Sequence, residues 1–166
     1  MLQGGGDMDT LAGTSTFRHT TIRVDTKEPT QFIDITDQLA SIVVAAVDTG
    51  VVNIQTLHTT TAIIINEHDP LLMRDIAALL ERAAPREAVY RHDNVTLRSV
   101  NCVLGDRPNG HSHCRALLLG PTVALNVSGG QLQLGRWQRV FLVELDGPRS
   151  REVSVLVVGE SGRSPA

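Results

Sequence analysis

The chain has 166 residues, 42% of them apolar, and a formal net charge of −3. That length fits one domain with a real core, and a near-neutral balance with no basic face or stacking aromatics argues against a nucleic-acid binder. No apolar run approaches the length of a membrane span, and residues 1–15 lack the basic start and apolar centre of a signal peptide, so a cytoplasmic protein is expected, with Cys102 and Cys114 reduced.

Aromatics are scarce, one Trp, one Tyr and three Phe, so packing must rely on branched aliphatics, which favours sheet. Residues 1–15 read as a flexible leader and 161–166 as a flexible tail, leaving a single domain over 16–160. Residues 17–25 predict a strand, and 31–35 a second short one after the Lys27-Glu28-Pro29 turn. Thr36 then reads as a helix cap; Leu39, Ile42, Val43, Ala46 and Val47 recur at helical spacing, and Gly50 is placed to end that helix. Residues 51–57 and 60–66 are β-branched and predict a strand and its continuation or neighbour, with Ala62-Ile63-Ile64-Ile65 apolar enough to be covered on both faces. Asp69 followed by Pro70 predicts a helix start, a cap and then a first-turn proline. Leu72, Ile76, Leu79, Leu80 and Ala83 supply its buried stripe, and Pro85 stops it.

Residues 90–110 carry many turn formers and predict no long element, and a short helix is expected over 112–119. The remainder reads as sheet: 122–127, a Ser128-Gly129-Gly130 turn, 131–134, 137–145 and 152–158. Asp146-Gly147 marks the turn before the last strand, and the final two strands are expected to form a hairpin edge. Strands on either side of separated helices make an α+β architecture with two main helices and a short third.

The chemistry-bearing residues fall in three places. The run LHTTTAIIINEHDP (57–70) ends an aliphatic strand in Asn66, Glu67, His68 and Asp69, which is costly unless those groups are wetted, paired or used. A solvated turn with Asp69 as cap accounts for it equally well. Asp75, beside Leu72 and Ile76, fits either an inward position or the helix edge. His58, His92, His111 and His113 can meet only through folding. His111 and His113 share one side if their segment is extended and diverge if it is helical. Neutral imidazoles serve as bases or metal ligands, and three with a water would form an open zinc site, although no HExxH or CxxC spacing is present. Cys102 and Cys114 read as plain buried thiols. In the carboxy-terminal segment Trp137 reads as a core or subunit-interface residue, Gln138 as a buried amide, and Arg149 and Arg151 as turn-flanking cations able to bind an anion.

Taken in order, HTTTAIIINEHDP (58–70) with Asp75, YRHD (90–93), NGHSH (109–113), LLLG (117–120), GGQLQLGRWQ (129–138) and RSREVSVLVVGE (149–160) resemble the YjbQ family over 17–160. The resemblance implies a YjbQ-like single α+β domain with a largely antiparallel sheet, assembled as a homotrimer with polar pockets near the subunit boundaries. It also implies a secondary thiamine-phosphate synthase activity, a transferase side reaction that joins a pyrimidine diphosphate to a thiazole phosphate with loss of pyrophosphate. Carried over by motif position, the expected catalytic residues are His58, Glu67, Asp75, His92 and His113. Thr60, Asn66, Gln138 and Arg151 are the expected substrate or anion ligands, and His58, His92 and His113 the expected holders of a divalent metal, zinc or magnesium. The expected partners are other copies of the chain and a small phosphorylated molecule. The competing readings are a non-catalytic trimeric binding protein for a small anionic metabolite and a metal-dependent hydrolase. Two departures stand out: Arg136 in Gly135-Arg136-Trp137-Gln138, where the family usually has Thr, and His111, where it usually has an acid or small polar group.

Overall fold

The computed structural model describes residues 15–102, 105 and 107–161. The expected leader and tail lie outside them, apart from Ser15 and Ser161. In chain order the elements are β1 (Ser15–Asp25), β2 (Gln31–Asp34), α1 (Thr36–Val44), β3 (Thr49–Thr56), β4 (Thr61–Glu67), α2 (Pro70–Ala83), a 3-10 turn (Arg91–Asp93), α3 (Gly110–Leu119), β5 (Thr122–Ser128), β6 (Gln131–Leu132), β7 (Gln138–Glu144) and β8 (Ser150–Glu160). The strands form a five-stranded sheet in the order β1-β8-β3-β5-β6 and a three-stranded sheet in the order β2-β7-β4. Every strand pairing is antiparallel. The α+β expectation therefore holds, with three helices and an antiparallel arrangement of strands.

Alternation explains how the layers stack. Val52 and Ile54 of β3, Leu125 and Val127 of β5, and Val153, Val155 and Val157 of β8 point to one face of the large sheet. They share a core with Leu39 and Val43 of α1 and with Ile63, Val140 and Leu142 of the small sheet. The alternate residues of the small sheet, Ala62, Phe141 and Val143, face the other way and meet Leu80 of α2 and Ala116 of α3. Covered on both faces, β4 and β7 need continuous apolar runs, which is why their sequences read AIII and VFLV.

The Asp69-Pro70 start of α2 is as expected: the Asp69 carboxylate accepts the Leu72 N–H at 2.7 Å. Within the stripe Leu80 is buried, whereas Leu79 is 54% exposed and Met73 takes a place on the core instead. Thr36 does not cap α1 from outside but sits in its first turn. The Asp34 carboxylate accepts the Thr36 N–H, and the Thr36 hydroxyl accepts the Val140 N–H at 2.8 Å. Residues 51–57 and 60–66 do not continue one another, because β3 and β4 belong to different sheets. Nor do the last two strands form a hairpin edge: β7 is the middle strand of the small sheet, and β8 lies between β1 and β3.

Gly50 does not end α1, which stops at Val44; it lies in β3, paired with Gly159 of β8. A Cβ there would stand 2.2 Å from the Val158 carbonyl oxygen and 2.7 Å from the Gly159 Cα, so close backbone approach is what demands glycine. We expect Gly50→Ala to destabilise the fold by about 2 kcal/mol or more, read as a lower midpoint in urea denaturation; an unchanged midpoint would mean the strands separate freely there.

Candidate functional site

The apolar run of β7 ends in Glu144, which is fully buried. A lone buried carboxylate would be prohibitive, so its lone pairs must be filled. Arg151, at the start of β8, does so with two parallel bonds, Nε to Oε2 and Nη2 to Oε1, both 2.6 Å. The Thr26 hydroxyl donates to Oε2 at 3.0 Å, and the N–H groups of Leu145 and Asp146 donate to Oε1 at 2.9 and 2.8 Å. Burial pushes the Glu144 carboxyl up, but Arg151, the Asp146 N–H and Thr26 outweigh it and hold the group below the usual carboxylate value. Arg151 Nη2 also reaches the Thr60 hydroxyl at 3.1 Å.

Above this buried pair lies a cleft of about 310 Å3, whose lining includes His58, Thr60, Asn109, His113, Arg149 and Arg151. His58 is tied to β8: the Glu152 backbone N–H donates to its Nε2 at 2.8 Å. A nitrogen that accepts cannot carry a proton, so the ring is neutral with its hydrogen on Nδ1. Burial, and then the Arg151 charge, hold the His58 pKa below the ordinary histidine value.

The other wall is the start of α3. No side chain of its own caps this helix; instead Asp93 Oδ1, on the 3-10 turn, accepts the N–H groups of Asn109 and Gly110 at 2.9 and 2.8 Å. The Asn109 amide is thereby free to donate to Asp146 Oδ2 at 3.0 Å. Asp146 is buried and also receives Arg149 at 2.9 Å and Arg107 at 3.2 Å. His113 follows on the first turn, half-buried, with the His92 ring edge-on at 4.5 Å between centroids. Burial, and then the neighbouring His92, push the His113 pKa down. Because the segment is helical, His111 diverges into the interior, where its Nε2 meets the Ser112 hydroxyl at 3.1 Å.

The structure thus brings together His58, Thr60, His113 and Arg151, with His92 against His113. It does not bring Asn66, Glu67, Asp75 or Gln138 to them. Thr60, just before the seven-residue β4, and Glu67, its last residue, lie at opposite ends of that strand, roughly 20 Å apart. Gln138 pairs with Glu67 across the sheet and is exposed rather than buried, its Oε1 accepting the Gly135 N–H at 2.8 Å. Asp75 is exposed on α2. Near that far end Arg139 joins Asp34 at 2.7 Å and Asp37 at 2.9 Å, and His68 meets Asp34 at 3.1 Å. A cavity of about 470 Å3 between α1 and β6 is larger than the histidine cleft, yet none of the expected site residues lines it. Trp137 is 62% exposed and carries the Arg136 guanidinium 4.7 Å from its ring centroid, so neither buries in this chain's core. Cys102 and Cys114 are exposed, not buried.

Among the described residues no three His, Cys, Asp or Glu side chains gather in a way that could hold a metal ion. With Nε2 of His58 committed to a backbone N–H, the three histidines do not fit the expected open zinc site within one chain. The residues that sequence reasoning missed are Asn109, Glu144 and Asp146. For Glu144 and Asp146 the signal was the run VELDGPRSR (143–151): two acids closing an otherwise apolar strand, followed shortly by two arginines able to pair with them.

Two measurements follow from this geometry. Removing one partner of the buried pair, as in Glu144→Gln or Arg151→Met, should cost about 3–5 kcal/mol in urea denaturation, since it leaves the other without its counter-charge. A loss below about 1 kcal/mol would show that water compensates. His58, His111 and His113 all have lowered pKa values, each through burial first. The folded chain therefore binds fewer protons than the unfolded chain below the ordinary histidine value of 6.5. Stability from this source is complete above that pH and declines as the pH falls; His58→Gln should lessen the decline, and an unaltered pH profile would count against the neutral-ring assignment.

The described residues include no helix long and apolar enough to cross a membrane. Comparison with known proteins agrees with the family resemblance. The family model described as UPF0047 protein YjbQ-like matches residues 20–160. A UPF0047 protein of Archaeoglobus fulgidus is 37% identical over 134 residues, covering 81% of this chain and 96% of that protein. One from Methanothermobacter thermautotrophicus is 35% identical over 136 residues, covering 81% and 87%. Among solved structures, a YbjQ-like protein of unknown function from Sulfolobus solfataricus superimposes with a TM-score of 0.78 at 33% identity, over 89% of this chain and 100% of that one. On the strength of the matched span and of these relatives, the chain belongs to the YjbQ-like UPF0047 family.

Proposed function

We propose that the histidine cleft binds a small phosphorylated metabolite and supports a group transfer in which pyrophosphate leaves, as in the formation of thiamine phosphate. The observation that carries this reading is the donor-rich lining of the cleft: it offers His58 Nδ1–H and the N–H groups that Asn109, Arg149 and Arg151 do not spend on Asp146 and Glu144, while both acids are fully paired. Such a site suits an anion and supplies no free carboxylate base.

That combination is compatible with the chemistry. In thiamine-phosphate formation the thiazole ring nitrogen attacks the pyrimidine methylene carbon with its lone pair. The carbon–oxygen bond to the diphosphate breaks, and pyrophosphate departs with that electron pair. The nitrogen carries no proton to lose, so no general base is required. His58 and Arg149 orient and neutralise phosphate oxygens, and the half-buried His113 limits water. In a homotrimer with pockets at subunit boundaries, Glu67 and Asp75, which lie away from this cleft in a single chain, would approach a neighbouring copy.

The same closure of Asp146 and Glu144 favours a second reading, a binding protein that holds a small anion without turnover, for any reaction that would need a proton removed. A metal-dependent hydrolase has no comparable support, since the described residues contain no three-ligand group. The deciding experiment is complementation of a thiamine-phosphate synthase deletion strain. The wild-type chain should restore growth without thiamine and His113→Ala should not. No growth with the wild type removes the synthase reading, and rescue by His113→Ala removes His113 from it.

A further inference from the structure

Resting on the reading of the cleft as an anion site, we propose that Asp93 is its positioning residue: from outside the cleft its carboxylate sets where α3 begins, and so brings Asn109 and His113 to the ligand. Neither Asp93 nor His92 lines the cleft, whereas Asn109 and His113 do. Asn109 holds the N-cap place of α3, where its side chain would ordinarily accept an N–H of the first turn. Here that amide donates to Asp146 instead, and α3 has no side-chain cap of its own. Asp93, sixteen residues earlier, fills the gap by accepting the N–H groups of Asn109 and Gly110. The effect passes onward through the backbone. The N–H groups of Ser112 and His113 both donate to the Asn109 carbonyl, at 2.9 and 3.3 Å. A shift of Asn109 therefore moves the first turn, and His113 with it.

The rest of the YRHD segment presses on the same turn. A Cβ at Gly110 would stand 2.5 Å from the Tyr90 Cβ and 3.2 Å from Asp93 Oδ1, so the segment and the helix start meet with no side chain between them. The His92 ring lies edge-on to that of His113, 4.5 Å between centroids, and limits how the His113 ring can turn. Charge and position pull in opposite directions at Asp93, which separates the two effects. As a charge alone, a carboxylate beside an anion site opposes binding, and its removal would strengthen the hold on the ligand. Removal would also bare two N–H groups at a helix start, again in the ligand's favour. Only the loss of a positioning group makes binding weaker. Asparagine at this place keeps an acceptor oxygen without the charge, and alanine keeps neither.

The test is calorimetric titration of the full chain with inorganic pyrophosphate in EDTA, near pH 8 and so above the ordinary histidine range. Beside it, the nuclear Overhauser cross-peak between the His92 and His113 rings reports their contact. Asp93→Asn should bind as tightly as the wild type or more so, and keep the cross-peak. Asp93→Ala should bind about tenfold more weakly and lose it. Asp93→Ala binding as well as the wild type, or both variants weakening alike, overturns the inference while leaving an anion site in place. If Asp93→Ala does not fold, His92→Ala, which leaves the cap intact, decides: weaker binding supports the arrangement and unchanged binding overturns it. No pyrophosphate binding by the wild type at millimolar concentration removes the anion-site reading itself. The cross-peak then decides alone, and its persistence in Asp93→Ala overturns the placement of His113 by Asp93.

Discussion

The ion pair between Glu144 and Arg151 is the constraint on which the polar half of this molecule depends. Burying both charges costs several kcal/mol per ion before any attraction is counted, so the pair is tolerable only if its hydrogen bonds are complete. Glu144 receives five, from Arg151 twice, Thr26, and the N–H groups of Leu145 and Asp146. Those partners come from three places in the chain, and Arg151 ties in a fourth through Thr60. Thr26 follows β1, Leu145 and Asp146 follow β7, Arg151 lies at the start of β8, and Thr60, held by Arg151, precedes β4. The two sheets are thus joined by polar contacts at one end, while their faces are joined by aliphatic packing. With Arg151 fixed and Asp146 turned by its own N–H bond, the positions of Arg149, Asn109 and the start of α3 follow.

The same arrangement sets the chemical character of the cleft. Every carboxylate nearby is occupied by an arginine or by backbone N–H groups, so acids act here as supports and not as bases. His58, His111 and His113 are pressed toward their neutral forms, by burial first and then by Arg151, Arg115 and His92 respectively. A neutral imidazole pinned at Nε2 donates through Nδ1 and does not compete for protons near neutrality. What results is a cluster of hydrogen-bond donors around a small space.

Legibility in the sequence varied with the range of the interaction. Asp69-Pro70 was readable because a cap and a first-turn proline act within four residues. The doubly covered β4 was readable because an unbroken Ala-Ile-Ile-Ile run has no solvent face to spare. Gly50 was misread as a helix stop because its requirement comes from Gly159, more than a hundred residues away. The β7–β8 connection was misread as a hairpin for a related reason: Asp146-Gly147 marks a turn, but a local turn signal does not reveal that its two strands join different sheets. Gln138, Cys102 and Cys114 were expected inside and lie outside, since composition ranks residues by average burial and not by place.

By itself, then, the sequence determined the element types, the two aliphatic faces and, through ordered motifs, the family and the histidines of the cleft. These depend on short-range periodicity and on residue identity, which one chain displays directly. Only the tertiary structure decided which polar residues share a site. It divided the expected set between the two ends of β4, leaving His58, Thr60, His113 and Arg151 at one end and Asn66, Glu67 and Gln138 at the other. It also supplied Asn109, Glu144 and Asp146, whose roles arise from pairing across sheets and loops. A buried charge must find its counter-charge in space, and no spacing along the chain specifies where that meeting occurs.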